Sequence, residues 1–236
     1  MYNIAMKYKH FFFDMDKTIT PARQPIENDM FELLNSLPGD VIIVSGQLLE
    51  YIEKQTNQIP AFYMGANGNH ANDVSNTLLW KNDSLHEEYK NEIHNHIANM
   101  CEHLEHELNE AWNPIEDRGS QITFSPVGNT APVDVKKAYD PDAKKRLMLL
   151  EKVPFESEDI VVKIGGSTSF DYFHKDMHKG ANVARLIEEM GWNKDECIYY
   201  GDGLYPGGND EVVIGVIETV PVEDERDTFR KLSEIL

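Results

Sequence analysis

The 236-residue sequence has few cysteines, few basic residues and no long apolar run. Its two cysteines, Cys101 and Cys197, are too few for a disulfide framework or a cysteine-based zinc site, so we expect a reducing, cytoplasmic location. Lysine and arginine number 22 against 41 aspartates and glutamates, and the resulting formal charge of −19 disfavours binding to nucleic acid or to an anionic membrane. Because no apolar run reaches the length of a signal peptide or a membrane span, we expect neither export nor anchoring.

Short apolar runs alternate with amphipathic segments at both ends of the chain. The runs at 11–13 and 41–44 are short enough to be buried parallel strands, and Asp14 and Ser45 follow them directly. The other strands predicted in this pattern cover residues 61–64, 197–200 and 212–217. Helices are predicted over residues 27–37, 48–55, 183–190 and 227–236. This alternation predicts an α/β fold with a Rossmann-like parallel sheet, built from residues 1–82 and 179–236.

The middle of the chain, residues 83–178, breaks this alternation and predicts an inserted α+β cap. Seven apolar residues recur at helical spacing from Leu85 to Leu108, which predicts one long amphipathic helix. Their stripe is either the core of the cap or the seam of a homodimer formed through the cap. Further strands are predicted over 121–126, 159–165 and 168–173, with a helix over 142–150.

Five histidines lie on or near the predicted long helix: His86, His94, His96, His103 and His106. His103 and His106 have a spacing that a metal ion can use, but no cysteine or fixed acidic partner completes a tetrahedral site. We therefore interpret the five residues as a solvated polar face rather than a zinc site.

Three aspartates follow predicted strands and point to phosphoryl transfer. Asp14 and Asp16 lie two residues apart just past a strand, and Asp202 follows another strand. Ligands of parallel sheets bind beyond the carboxyl ends of the strands, where these residues would form an oxygen-rich pocket that suits Mg²⁺. Asp14 can then attack a phosphorus atom, and Asp16 can move protons to and from the leaving and attacking oxygens.

Four sequence motifs resemble those of the haloacid-dehalogenase-type phosphotransferases. They are DMDKT beginning at Asp14, Ser45 after VIIV, Lys179 in HKG, and Asp202 with Asp210 in GDGLYPGGND. Within that superfamily the sequence is most similar to the eukaryotic-type phosphomannomutases. The strings that carry this similarity are TPAR ending at Arg23, SPVG at 125–128 preceded by Arg118, GGSTSFD at 165–171, and PGGND.

The resemblance implies a role for each matched residue. It implies Asp14 as nucleophile, Asp16 as general acid and base, and Ser45 and Lys179 as phosphate ligands. It also implies Mg²⁺ on Asp14, the Asp16 main chain and Asp202, with support from Asn209 and Asp210. The residues implied to hold a small sugar phosphate are Arg23, Arg118, Ser169 and Asp171.

The sequence departs from the family pattern at three positions. Asn129 and Lys136 stand where the family has arginines, so two forked phosphate contacts are absent from the expected substrate site. Arg118, Lys136 or the cluster at 144–146 can take over part of that role. Lys17 replaces the glycine that usually follows the second aspartate. The sequence leaves three alternatives open: a mutase, a sugar-phosphate phosphatase, and a sugar-phosphate binding protein without activity.

Overall fold

The computed structural model describes residues 7–82, 85–234 and 236. The chain divides into two compact units, one made of Met1–Lys81 with Met177–Leu236 and the other of Asn82–Asp176. The predicted start of the cap at residue 83 lies outside the described residues. A parallel-rich sheet in the first unit and a separate antiparallel sheet in the second confirm the predicted α/β fold class with an α+β module. That the two units act as catalytic core and cap stays a prediction.

The sheet of the first unit has the strand order β11-β10-β1-β2-β3-β4-β5. The bounds are β1 His10–Asp14, β2 Asp40–Val44, β3 Phe62–Gly65, β4 His70–Asn72, β5 Leu78–Lys81, β10 Cys197–Gly201 and β11 Glu218–Pro221. Strands β11, β10, β1, β2 and β3 are parallel, and the short hairpin of β4 and β5 continues the sheet in antiparallel sense. Sequence analysis missed this hairpin because its two strands are short and carry polar residues.

Helices cover both faces of this sheet, which explains why its central strands are apolar throughout. Along β1, Phe11 and Phe13 enter one core and Phe12 enters the other. The helices of this unit are α1 Asn28–Asn35, α2 Leu49–Gln55, α6 Lys179–Met190 and α7 Glu225–Ser233. The first core includes side chains of α1, α2 and α7, and the second includes those of α6.

The second unit is an antiparallel sheet with the strand order β6-β7-β9-β8, packed against helices. Its strands are β6 Ile115–Asp117, β7 Gln121–Phe124, β8 Ile160–Gly165 and β9 Ser169–His174. Its helices are α3 Glu87–Cys101, α4 Val133–Tyr139 and α5 Lys144–Lys152. The stripe from Leu85 to Leu108 packs into the core of this unit, so the core interpretation is the correct one of the two. Homodimer formation stays a prediction.

The prediction of one long helix up to Leu108 was wrong, because α3 ends at Cys101. The residues that follow are rich in glutamate and no basic side chain lies in the last turn, so the charge at the C-terminal end opposes the helix dipole. Leu104 and Leu108 still pack against the core from an irregular segment. The helical spacing of Leu104 and Leu108 in the sequence therefore does not reflect a helix.

The prediction of a last strand over 212–217 was also wrong. Glu211–Val213 form a 3₁₀ turn, and the strand is β11, which begins at Glu218. Gly215 has a φ of +87°, and Ile214 is exposed while Val213 is buried. The apolar run belongs to a loop that packs part of its side chains into the core.

His96 contradicts the interpretation of the histidines as a solvated face. Its ring is buried, with Nδ1 at 2.8 Å from the Tyr172 hydroxyl and Nε2 at 2.9 Å from the Val153 carbonyl oxygen. Burial lowers the pKa of His96, so the ring is a neutral core residue. Among the described helices, none combines the length and apolar character needed to cross a membrane.

Candidate active site

Three adjacent parallel strands deliver polar side chains to the carboxyl edge of the first sheet. Asp14 ends β1 and lies opposite Val44, the residue before Ser45. On the other side of β1, Phe13 lies opposite Tyr200, which places Asp202 two residues beyond that level. The strand order β10-β1-β2 therefore brings together three segments that are far apart in sequence.

Asp14, Asp202 and Asp210 form a cluster of carboxylates. One oxygen of each lies within 4.8 Å of the corresponding oxygens of the other two. Asp14 and Asp210 are buried, and Asp202 is half-buried. Mutual repulsion in so small a volume requires positive charge nearby.

Lys179 supplies part of that charge. It is the first residue of α6, is 1% exposed, and donates hydrogen bonds to Asp14 Oδ1 at 2.7 Å and Asp210 Oδ1 at 2.5 Å. Burial by itself would lower the pKa of Lys179, but the charges of Asp14 and Asp210 raise it above its ordinary value, so the side chain is an ammonium ion. The helix begins four residues earlier than predicted, because the His178 side chain accepts a hydrogen bond from the Ala181 amide.

One lysine does not neutralise three carboxylates. Burial raises the pKa of Asp14 to about 8, with Lys179 opposing the shift and the charge of Asp210 adding to it. Burial and the charge of Asp210 also raise the pKa of Asp202, while Lys17 and Lys179 oppose that shift. A buried, oxygen-rich cluster with excess negative charge fits a divalent cation such as Mg²⁺.

The GDGLYPGGND loop reaches the cluster because two of its glycines leave room. A Cβ on Gly201 would lie 2.4 Å from Asp210 Oδ2, and a Cβ on Gly203 would lie 2.0 Å from Asn209 Oδ1. The Gly203 amide donates to Asp210 Oδ2 at 3.1 Å, and the Tyr199 hydroxyl donates to Asp210 Oδ1 at 2.8 Å. Asp210 is thus held by three donors, whereas Asn209 is exposed.

Asp16 is oriented separately from the cluster. Its carboxylate accepts hydrogen bonds from the Arg23 amide at 2.6 Å and from the side-chain amides of Gln47 and Gln55, each at 2.8 Å. These three donors leave Asp16 half-buried at the same edge of the sheet. Sequence analysis missed both glutamines, since a glutamine after a strand and another in a helix carry no recognisable signal.

Ser45 and Arg23 lie in the same unit as the cluster. Ser45 is buried, and its hydroxyl accepts a hydrogen bond from the Gln47 amide at 3.2 Å. Arg23 is exposed and has a φ of +56°. Lys17, the departure beside Asp16, is exposed as well and has a φ of +60°.

The remaining candidate residues belong to the second unit. Arg118 donates from Nε and Nη2 to Glu116 Oε2, at 3.1 and 2.6 Å. Asp171 Oδ1 accepts from the Thr123 hydroxyl at 2.9 Å, and burial raises the Asp171 pKa against the opposing charge of Arg118. Ser169 donates to the Gly165 carbonyl at 2.9 Å.

Asn129 and Lys136, the two positions where the resemblance leads us to expect arginines, both contact the main chain. The Asn129 side chain donates to the carbonyls of Pro114 and Thr123, each at 3.3 Å. Lys136 donates in turn to the Asn129 carbonyl at 2.5 Å.

Arg146, expected among the residues that compensate, is 3% exposed and donates to Asp140 Oδ2 at 2.8 Å. It also donates to the carbonyls of Gly165, Gly166 and Ser169, so its role is to hold that loop. Arg146 itself is thus engaged in contacts within the protein, and compensation by Arg118, Lys136 or the cluster at 144–146 stays a prediction.

Comparisons with known proteins agree with this geometry. The sequence profile of the family described as eukaryotic phosphomannomutase matches residues 40–236. A phosphomannomutase of Encephalitozoon cuniculi is 27% identical over 241 residues, covering 96% of this chain and 93% of its own. One of Schizosaccharomyces pombe is 27% identical over 248 residues, covering 94% and 92%.

A solved haloacid dehalogenase-like hydrolase from Bacteroides thetaiotaomicron shares the fold. Its TM-score is 0.68 at 15% identity, and the match covers 98% of this chain and 100% of that one. With the profile match and the carboxylate cluster, these findings show an enzyme of the haloacid-dehalogenase phosphotransferase type. The chain belongs to the eukaryotic phosphomannomutase family.

Proposed function

We propose that this enzyme moves a phosphoryl group between positions of a hexose phosphate through an aspartyl-phosphate on Asp14. The observation that carries the proposal is the buried contact of Lys179 with Asp14 and Asp210 at the carboxyl edge of the parallel sheet. The similar proteins are phosphomannomutases, which points to mannose phosphates as the substrate class.

In the first step an Asp14 carboxylate oxygen attacks phosphorus. The bond from that oxygen to phosphorus forms, and the bond from phosphorus to the sugar oxygen breaks. Asp16 gives a proton to the departing sugar oxygen and later removes one from the hydroxyl that attacks the phosphoaspartate. The hydrogen bonds from Arg23, Gln47 and Gln55 hold the Asp16 carboxylate in place for both transfers.

Asp14, Asp202 and the Asp16 main chain are the proposed Mg²⁺ ligands, with Asn209 and Asp210 in support. Bound Mg²⁺ would supply positive charge that keeps Asp14 ionised and reduces repulsion of an anionic substrate. Lys179 and Ser45 bind oxygens of the transferred phosphoryl group. Arg23, Arg118, Ser169 and Asp171 bind the rest of the sugar phosphate.

Hydrolysis of the same phosphoenzyme is the second candidate function. Asn129 and Lys136 both contact the main chain where the family has arginines, which weakens the expected hold on a second phosphate. A site that closes less firmly on its substrate admits water to the phosphoaspartate. We therefore expect inefficient isomerisation accompanied by hydrolysis.

The test is one assay with two readouts. The protein is incubated with Mg²⁺ and mannose 1-phosphate, with and without mannose 1,6-bisphosphate, and both mannose 6-phosphate and free phosphate are measured. Asp14→Asn should abolish both products, since an amide keeps the shape of the side chain but cannot attack phosphorus. Chelation of Mg²⁺ with EDTA should also abolish both products.

One result separates the two candidate functions, and another tests the nucleophile that they share. Free phosphate without any mannose 6-phosphate would leave the phosphatase as the function. Retention of more than about a hundredth of the wild-type kcat in Asp14→Asn would exclude Asp14 as the nucleophile.

A further inference from the structure

A row of polar side chains crosses the sheet of the second unit. Glu116 lies opposite Thr123, Thr123 opposite Asp171, and Asp171 opposite Lys163. Opposite residues of antiparallel strands point to the same face, so these four side chains form one line across four strands. The residues next to Thr123 and Asp171 along β7 and β9 point to the opposite face of the sheet and pack in the core: Ile122, Phe124, Phe170 and Tyr172.

The polar row carries two carboxylates, Glu116 and Asp171, and one ammonium group, Lys163. At one end Arg118 is bound to Glu116 at 2.6 Å, and in the middle Thr123 donates to Asp171 at 2.9 Å. At the other end Lys163 is exposed and forms no salt bridge within the part of the chain that the structure describes. Lys163 therefore lies directly opposite Asp171 on the neighbouring strand, whereas Arg118, whose charge also acts on Asp171, is bound to Glu116.

Two other basic residues of the second unit have structural contacts. Lys136 donates to the Asn129 carbonyl, and Arg146 is buried against Asp140 and the 165–169 loop. Lys163 is thus the cationic side chain of the polar row whose charge remains exposed to a ligand.

We propose that Lys163 binds the second phosphate of a hexose bisphosphate, beside a sugar hydroxyl that donates to Asp171. This inference rests on the proposed function and extends it to a residue outside the motifs shared with the family. Four methylene groups give the ammonium enough reach to contact a phosphate oxygen next to Asp171. Its charge offsets the repulsion between Asp171 and the phosphate, and partly replaces the guanidinium groups lost at positions 129 and 136.

The experiment measures binding rather than turnover, so that its outcome does not depend on catalysis. Mannose 1,6-bisphosphate and inorganic phosphate are titrated calorimetrically into full-length protein that carries Asp14→Asn. Lys163→Gln, Lys163→Arg and Lys152→Gln are each added to this background. Lys152 is the matched control, an exposed lysine at the end of α5 in the same unit.

We expect Lys163→Gln to weaken binding of the bisphosphate about tenfold or more, the equivalent of one charge-assisted hydrogen bond. Binding of inorganic phosphate should weaken less, Lys152→Gln should stay within about twofold, and Lys163→Arg should restore most of the affinity. The proposal would be overturned if Lys163→Gln weakened binding of both ligands equally, or left the affinity for the bisphosphate unchanged. It would also be overturned if Lys152→Gln weakened bisphosphate binding as much as Lys163→Gln does.

These outcomes are distinct from failure of the proposed function. An inactive wild-type protein that still binds the bisphosphate through Lys163 would refute the catalytic proposal and leave this one standing. Absence of bisphosphate binding in the Asp14→Asn background would refute the role of Lys163.

Discussion

Replacing Lys179 with methionine should strongly destabilise the first unit. Methionine keeps the length of the side chain but removes the ammonium that contacts Asp14 and Asp210. The Lys179 side chain is 1% exposed and that of Asp210 is 0% exposed, so water cannot replace the lost contacts. Removing one partner of a buried ion pair costs about 3–5 kcal/mol, because the remaining charge stays buried without compensation. For a protein of this size, that loss lowers the Tm by about 6–20 °C.

The assay is thermal and urea unfolding in EDTA, with Lys9→Met as the matched control. Lys9 is bound to Glu196 at 2.7 Å in the same unit, but its side chain is 60% exposed, and such a pair contributes less than about 1 kcal/mol. Added Mg²⁺ should recover part of the stability of Lys179→Met, since a bound cation replaces the missing charge. A loss no larger than that of the Lys9 control would refute the reasoning, because it would show that the carboxylates do not need the lysine charge.

Further predictions concern the titration of Asp14, the Arg146–Asp140 pair and Asn129. Without metal, stability should fall by up to ~1.4 kcal/mol per pH unit between about pH 4 and pH 8, because folded Asp14, with its pKa of about 8, binds a proton that the unfolded chain has released. Urea unfolding in EDTA should show a flatter profile for Asp14→Asn, and identical profiles would contradict the assignment. Arg146→Met should cost about 3–5 kcal/mol in urea unfolding, since it leaves Asp140 buried without its partner; a loss under 1 kcal/mol would show that the pair is dispensable. Asn129→Arg should raise the ratio of mannose 6-phosphate to free phosphate in one reaction mixture, and an unchanged ratio would remove position 129 from substrate binding.

Local sequence patterns were sufficient to predict the strands that are buried on both faces of the sheet. The runs at 11–13, 41–44 and 197–200 are apolar on consecutive residues, and each lies within a central parallel strand. Polar residues at their carboxyl ends then had to share one edge of the sheet. The placement of Asp14, Ser45 and Asp202 could therefore be predicted without coordinates.

Local patterns failed where packing decides the structure. The apolar stripe past Cys101 follows helical spacing, yet Leu104 and Leu108 reach the core from an irregular segment. His96 looks like a surface residue of an amphipathic helix, yet its two ring nitrogens find partners 76 and 57 residues away. Burial of such residues depends on surfaces that distant segments provide.

The sequence by itself determined the parallel sheet, the polar residues at its edge and the family resemblance, because these depend on local periodicity and on short motifs. Only the tertiary structure decided the electrostatic state of the site. Lys179 lies 165 residues from Asp14 in the sequence. Its contacts with Asp14 and Asp210 keep Lys179 an ammonium ion in spite of burial, and burial raises the pKa of Asp14 in spite of its contact with Lys179. The polar row from Glu116 to Lys163 arises in the same way, since strand register joins residues from four separate segments. Charge interactions depend on distance and solvent exposure, and neither quantity exists before the chain has folded.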